Sequence, residues 1–192
     1  MRYLRESSEQ EMVAEFLKGE FKSPRYATKI KALAHQLNIP VEIIHNPNLE
    51  DTTQNNQRAQ ILTKYRGYGD KRGVFSIVPD NTKWQLQELN KIDILSLYHI
   101  GLPYWHKLSQ LTNKVKVSVE TVMEDEEVQG QSNQQFYKIA TDIEQGAKLP
   151  PVILVKNEKI GHSVIIEGNV RAVAIGIARV NDFKIKAIIG ME

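Results

Sequence analysis

Residues 149–190 constrain the fold of this chain more than any other segment. Apolar, β-branched runs at residues 152–155 and 164–166 predict two strands, joined by a turn that contains Asn157 and Gly161. After Gly168, apolar residues recur at positions 170, 173, 174, 177 and 178, which is the spacing of one helical face, and residues 183–189 predict a closing strand. Gly176 lies inside that helix, where glycine costs about 1 kcal/mol relative to alanine, so it indicates close packing.

The turn between the second strand and the helix is the segment that most suggests a ligand. A helix N-terminus offers free backbone N–H groups and a partial positive charge, and both favour a phosphate. Arg171 falls in the first helical turn, where its guanidinium can bind the same anion. We therefore interpret Gly168, Asn169 and Arg171 as candidate residues of a phosphate site. The alternative is a plain tight turn with Arg171 in a structural ion pair.

Glu167 directly precedes this turn and is the candidate catalytic residue. A carboxylate there could act as a general base, orient a base or hold Mg²⁺ through water. The alternation of Glu167 with Ile165 also fits an ordinary polar position on a strand.

The first two thirds of the chain predict more helix than strand. Ser8 and Glu11 have the spacing of a capping box, and Ser23-Pro24 precedes a second helix. Further helices are predicted from residue 59, over residues 84–95 and over residues 135–146. Short strands are predicted at residues 41–44, 74–78 and 115–119. Together these elements predict an α+β fold.

Residues 115–190 resemble the ParB N-terminal and sulfiredoxin-like superfamily. Three pieces carry the resemblance, and they occur in the superfamily's order. These are a helix that ends in Gly146 before the strand at residues 150–155, a strand that runs into Gly168-Asn169-Val170-Arg171-Ala172-Val173-Ala174, and a closing strand at residues 185–189. The resemblance implies a ParB/sulfiredoxin-like mixed-sheet domain at residues 111–192. The periodic patterns before it predict a mostly helical region of unknown role at residues 1–110.

The resemblance also implies a function. In this superfamily the glycine-to-arginine turn grips nucleotide phosphates, and members hydrolyse CTP, use ATP or transfer phosphate. It therefore implies CTP or ATP with Mg²⁺ as the ligand of Gly168, Asn169 and Arg171, and a nucleotide hydrolase or phosphotransferase as possible activities. Sulfiredoxin repair chemistry depends on a cysteine in this turn, and the chain contains no cysteine.

Charge distribution gives the alternative function. Residues 57–116 contain ten Lys and Arg against four Asp and Glu, a net charge of +6, although the whole chain carries only +2. Residues 65–73 mix two tyrosines with Arg66, Lys71 and Arg72, a composition suited to stacking and phosphate contacts with nucleic acid. A DNA- or RNA-associated binding protein of a prokaryote or mobile element, without turnover, is therefore the second hypothesis. The alternative is a solvated surface of mixed charge.

Composition excludes several other classes. Without cysteine there is no disulfide, thiolate metal site or catalytic thiol. The five histidines are scattered, so no metal site is predicted. No apolar run approaches the roughly 20 residues that span a bilayer, and the N-terminus lacks the pattern of a signal peptide. We expect a cytoplasmic protein with no membrane partner, and a homodimer is among the expected assemblies.

Overall fold

The computed structural model of the chain describes residues 1–124, 127–128, 130–156 and 161–192. It has an α+β fold, as predicted. The strands are β1 Arg2–Glu6, β2 Lys83–Asn90, β3 Tyr98–His99, β4 Glu127–Val128, β5 Gln131–Ser132, β6 Val152–Lys156, β7 Ser163–Glu167 and β8 Lys184–Met191. The helices are α1 Glu9–Phe21, α2 Pro24–Gln36, α3 Glu42–His45, α4 Thr52–Arg66, α5 Lys91–Leu95, α6 Pro103–Leu108, α7 Val115–Glu124, α8 Gln134–Glu144 and α9 Asn169–Ile177.

Six strands form one mixed sheet in the order β1-β2-β8-β6-β7-β3, while β4 and β5 form a separate small hairpin. Strand β2 pairs antiparallel with β8 along its whole length, from Lys83 opposite Met191 to Asn90 opposite Lys184. Strand β6 runs parallel to β8 and antiparallel to β7. The sheet therefore takes strands from both sides of the predicted boundary at residue 110.

Helices cover both faces of the sheet. Helices α1 to α4 share one hydrophobic core with the side chains of one sheet face, and helices α5 to α9 share a second core with the other face. Strand β6 shows the division most clearly, because Ile153 and Val155 belong to the first core while Val152 and Leu154 belong to the second. Such a strand is buried on both faces, which explains its continuous apolar sequence.

The C-terminal unit folds as its sequence predicts. Strands β6 and β7, helix α9 and strand β8 follow one another with bounds close to the predicted ones. Gly161 has a φ of +71°, as suits a turn, whereas the Asn157 part of that turn lies outside the described residues. Gly176 packs closely, as expected: a Cβ built on it would lie 2.3 Å from Cγ2 of Val119 in α7.

Four other sequence predictions are wrong. The helix predicted over residues 84–95 is strand β2 followed by the short helix α5, because Trp84 and Leu86 alternate with glutamines and pack on one face of the sheet. The strand predicted at residues 115–119 is part of α7, since Val115, Val119 and Val122 lie on one buried helical face. Residues 42–45 form α3 rather than a strand, and residues 73–75 form a 3-10 turn where a strand was predicted from residue 74.

Within the described part of the chain, no helix has both the length and the apolar character that a membrane crossing requires.

We predict that Gly176→Ala destabilises the protein although alanine favours helix. The added methyl group would overlap Val119, and forced overpacking of a core typically costs about 1–3 kcal/mol. Urea denaturation measures the change in the free energy of unfolding. Gly101→Ala is the control, because the atom nearest to its added Cβ, Asn113 Nδ2, lies 4.0 Å away. A Gly176→Ala variant as stable as the wild type would contradict the close packing of α7 on α9.

Candidate functional site

The turn at Gly168 requires a glycine for two reasons. Its φ of +99° lies in the left-handed region, which residues with a side chain rarely adopt. A Cβ there would also lie 2.8 Å from Cγ1 of Val152 and 2.9 Å from Nη2 of Arg171. Gly168 is the N-cap of α9. Among the described residues no side chain caps this helix, and its first turn contains no acidic residue. The helix therefore begins with its positive end unneutralised by a cap.

Arg171 folds back over this turn. Its Nη2 donates to the carbonyl oxygen of Pro151 at 2.9 Å and lies 3.3 Å from Oε1 of Glu167. The side chains of Arg171 and Glu167 are 13% and 10% exposed. The Nε atom of Arg171 is buried and has no hydrogen-bond partner among the residues that the structure describes. Arg171 is thus a nearly buried guanidinium with donor capacity left over.

Glu167 is buried against helix α1. A Cβ built on Gly19 of that helix would lie 2.6 Å from Oε1 of Glu167, so Gly19 gives the carboxylate its space. Helix α1 continues through Gly19 to Phe21. Burial raises the pKa of Glu167, while the positive charge of Arg171 opposes that rise. Perturbed pKa values are common for catalytic acids and bases, and they also occur in structural ion-pair networks.

Asn169 points its side chain away from the turn and into the core, where it is 8% exposed. Its Nδ2 donates to the carbonyl oxygen of Ile165 at 3.4 Å, which leaves Oδ1 to accept a hydrogen bond from Nδ1 of His99 at 2.8 Å. The other ring nitrogen of His99 then accepts from the hydroxyl of Ser118 at 3.0 Å. The side-chain amide of Asn169 is therefore engaged within the protein.

His99 is the centre of this buried chain of hydrogen bonds. It is 2% exposed, and its ring stacks on Trp105 with centroids 4.7 Å apart and an interplanar angle of 17°. Burial lowers the pKa of His99 to about 4, although its hydrogen bond with Asn169 acts in the opposite direction. A neutral imidazole therefore fixes the Asn169 side chain over the physiological pH range.

Sequence reasoning missed His99 and Ser118 as residues that support the turn. Neither has a spacing motif relative to Asn169, and the contacts run between β3, α7 and α9. The signal available in the sequence was a histidine inside the apolar run at residues 97–100, a position where a polar group needs buried partners.

Arg66, predicted to bind nucleic acid, is engaged within the protein. Its Nε donates to Oε2 of Glu20 at 3.0 Å, and Nη2 makes a second bond with the same carboxylate. Its guanidinium also lies over the rings of Tyr65 and Tyr26, at 4.5 Å and 4.8 Å from their centroids. Burial, together with Glu20, raises the pKa of Tyr65. Arg66 is thus held by a bidentate carboxylate and two aromatic faces.

Lys71 and Arg72, the other two predicted nucleic-acid contacts, each pair with an exposed carboxylate. Lys71 pairs with Asp80, and Arg72 pairs with Asp70. Exposed pairs of this kind contribute little to stability, typically below about 1 kcal/mol, so both side chains can exchange partners readily. Neither of these two pairs involves the Gly168 turn, whereas Glu20 and Arg66 lie within electrostatic reach of Glu167.

Glu20, Arg66, Glu167 and Arg171 therefore form a group that we call the charge cluster. It combines two carboxylates with two guanidinium groups, from α1, α4, β7 and α9. Over the described residues, no group of three or more His, Cys, Asp or Glu side chains is arranged to hold a metal ion.

The chain matches no protein-family model, no curated protein and no solved structure. The ParB/sulfiredoxin-like resemblance of residues 115–190 therefore stays a prediction.

We predict that His99→Gln flattens the dependence of stability on pH. A histidine whose pKa is lower in the folded than in the unfolded protein destabilises the fold as pH drops. The loss begins near the unfolded pKa of about 6.5 and reaches about 3 kcal/mol near pH 4. Urea denaturation between pH 7.5 and pH 4 measures this slope. The exposed His35 provides the control His35→Gln, which should keep the wild-type slope, and an unchanged slope in His99→Gln would refute the assignment.

We predict that Glu167→Gln is at least as stable as the wild type at pH 7.5. A raised pKa means that the folded protein prefers the protonated carboxyl, so the wild type loses stability as pH rises from the unfolded pKa through the folded one. Glutamine resembles the protonated form, so the difference between the two proteins should vanish at acid pH. Glu120→Gln, on the exposed face of α7, is the control. A loss of about 3 kcal/mol or more at pH 7.5 would mean that the ion pair with Arg171 outweighs burial.

Proposed function

We propose that this protein binds a nucleotide through its phosphates at the turn Gly168-Asn169-Val170-Arg171. The observation that supports the proposal best is the uncapped N-terminus of α9, which begins at a left-handed glycine and has an arginine in its first turn. Backbone N–H groups and a guanidinium fork together are the donors that a phosphate monoester or anhydride needs. The same donors would suit an inorganic phosphate, so selectivity for a nucleotide has to be tested directly.

The binding step would exchange one partner of Arg171 for another. In the free protein, the Glu167 carboxylate lies 3.3 Å from Nη2, and a phosphate oxygen would take over this interaction. The bond from Arg171 to the Pro151 carbonyl would keep the guanidinium oriented during the exchange. Its Nε, which has no partner among the described residues, is a further donor. His99 and Ser118 would act as positioning residues, because they hold the Asn169 side chain away from the ligand.

Glu167 is the residue of this turn able to move a proton. Its raised pKa favours a carboxyl that can gain or lose a proton near the phosphate, which fits a general acid or base in hydrolysis or phosphate transfer. A single carboxylate does not make a metal site by itself. Glu167 would instead hold, through water, a Mg²⁺ ion that arrives with the nucleotide phosphates. Such an ion would neutralise part of the phosphate charge beside Glu167.

The nucleic-acid hypothesis needs a different exchange. Arg66, Lys71 and Arg72 would each have to leave a carboxylate for a backbone phosphate. Lys71 and Arg72 pair with exposed carboxylates, as surface cations commonly do, so no observation favours this function over nucleotide binding.

We predict that CTP or ATP with Mg²⁺ raises the melting temperature and that Arg171→Ala abolishes the shift. A ligand at a hundredfold excess over its Kd adds about 2.7 kcal/mol to the free energy of unfolding. The measurement is a thermal-shift panel of CTP, ATP, GTP, UTP, ADP and inorganic phosphate, each with and without Mg²⁺. Arg179→Ala is the matched control, because this exposed arginine follows the other end of α9.

The panel separates three results. A selective shift that disappears only in Arg171→Ala supports a nucleotide site and leads to a hydrolysis assay with Glu167→Gln. A shift that survives in Arg171→Ala would place binding elsewhere, and no shift with any ligand would refute the proposed function.

A further inference from the structure

We propose that the phosphate site extends from the Gly168 turn across the charge cluster to Arg66, and that it takes a ligand with two or more consecutive phosphates. The inference rests on the proposed function, since it assigns a second arginine to the same site. Arg66 lies in α4, far from the turn in sequence, and no motif of the C-terminal unit includes it.

Helix α1 connects the two arginines. A Cβ built on Gly19 would lie 3.8 Å from Nη1 of Arg171 and 2.6 Å from Oε1 of Glu167. The next residue, Glu20, accepts the bond from Nε of Arg66 at 3.0 Å. Two consecutive residues of α1 thus connect the arginines: Gly19 lies beside Arg171, and Glu20 pairs with Arg66. Arg66 and Glu20 also act electrostatically on Glu167, so both guanidinium groups belong to one cluster around this dipeptide.

Arg66 does not depend on Glu20 alone for its position. The rings of Tyr65 and Tyr26 lie 4.5 Å and 4.8 Å from its guanidinium carbon. Contacts between a guanidinium and aromatic faces are attractive without using the N–H donors. If a phosphate replaces Glu20, the tyrosines keep the guanidinium in place and its donors become free for the phosphate oxygens.

Two further cations stand beside the same tyrosines. Arg25 lies over the Tyr26 ring at 5.3 Å, and Nζ of Lys29 lies over the Tyr65 ring at 5.4 Å. Both residues are exposed, in contrast to the nearly buried carboxylates of the cluster. These exposed cations add positive charge on the Arg66 side of the charge cluster, which suits an anion that extends beyond the Gly168 turn.

The free protein then shows the site in its resting arrangement. Glu20 and Glu167 pair with the guanidinium groups that the phosphates would bind. Both carboxylates are nearly buried, and burial of an unpaired carboxylate is costly. A ligand phosphate at Arg171 and a second phosphate at Arg66 would replace both carboxylates with more highly charged acceptors. A single phosphate bound at the Gly168 turn and Arg171 would leave Arg66 paired with Glu20.

The test compares tripolyphosphate with inorganic phosphate by isothermal titration calorimetry on the full chain. We expect wild type to bind tripolyphosphate at least about tenfold more tightly than phosphate, as one additional charge-assisted bidentate contact would give. Arg66→Met should remove most of this preference while phosphate still binds through Arg171. Lys64→Met, an exposed cation on the same helix, should leave the preference unchanged.

A gain-of-affinity variant keeps the test independent of any folding defect in Arg66→Met. Glu20→Gln removes the charge that competes for Arg66, so tripolyphosphate should bind severalfold more tightly while phosphate binding stays the same. If Arg66→Met and Glu20→Gln both keep the wild-type ratio while Arg171→Ala abolishes binding, the extension to Arg66 is wrong and the proposed function stands. If the wild type binds neither probe, both are wrong.

Discussion

The antiparallel ladder between β2 and β8 joins the first half of the chain to its last residues, and the layered architecture depends on it. Eight consecutive residues of β2 pair with β8, and β8 in turn pairs with β6, whose four apolar residues are buried. Because these strands share one sheet, the helices that precede β2 cover one face and the helices that follow β2 cover the other. Each helical layer buries its apolar stripe only because the sheet lies between them.

The charge cluster lies where these two parts of the chain meet. Glu20 and Arg66 come from the N-terminal helices, and Glu167 and Arg171 come from the end of β7 and the start of α9. Nearly buried ion pairs are weak sources of stability, since the loss of hydration offsets most of the attraction between the charges. An apolar contact between α1 and α9 would serve stability as well or better. This comparison is the physical reason to look for a ligand at the cluster.

The Gly168 turn itself is held from behind by neutral polar groups. His99 connects Asn169 to Ser118, and Trp105 stacks on its ring. A site that has to exchange its counter-ions benefits from a rigid support, because the donors must stay oriented while the partners change. The supporting hydrogen bonds are buried and uncharged at neutral pH, in contrast to the ion pairs in front of the turn.

The sequence alone determined the C-terminal unit of two strands, a glycine turn, a helix and a closing strand, because periods of two and 3.6 residues appear directly in the order of apolar side chains. It also indicated the close packing at Gly176. It did not determine β2, read as a helix, or α7, read as a strand, since short apolar runs fit either period until a neighbour selects the buried face. Only the tertiary structure decided the partners of the polar groups. Arg66 meets Glu20 across 46 positions and His99 meets Asn169 across 70, and contacts over such separations depend on how the layers pack, which no local pattern encodes.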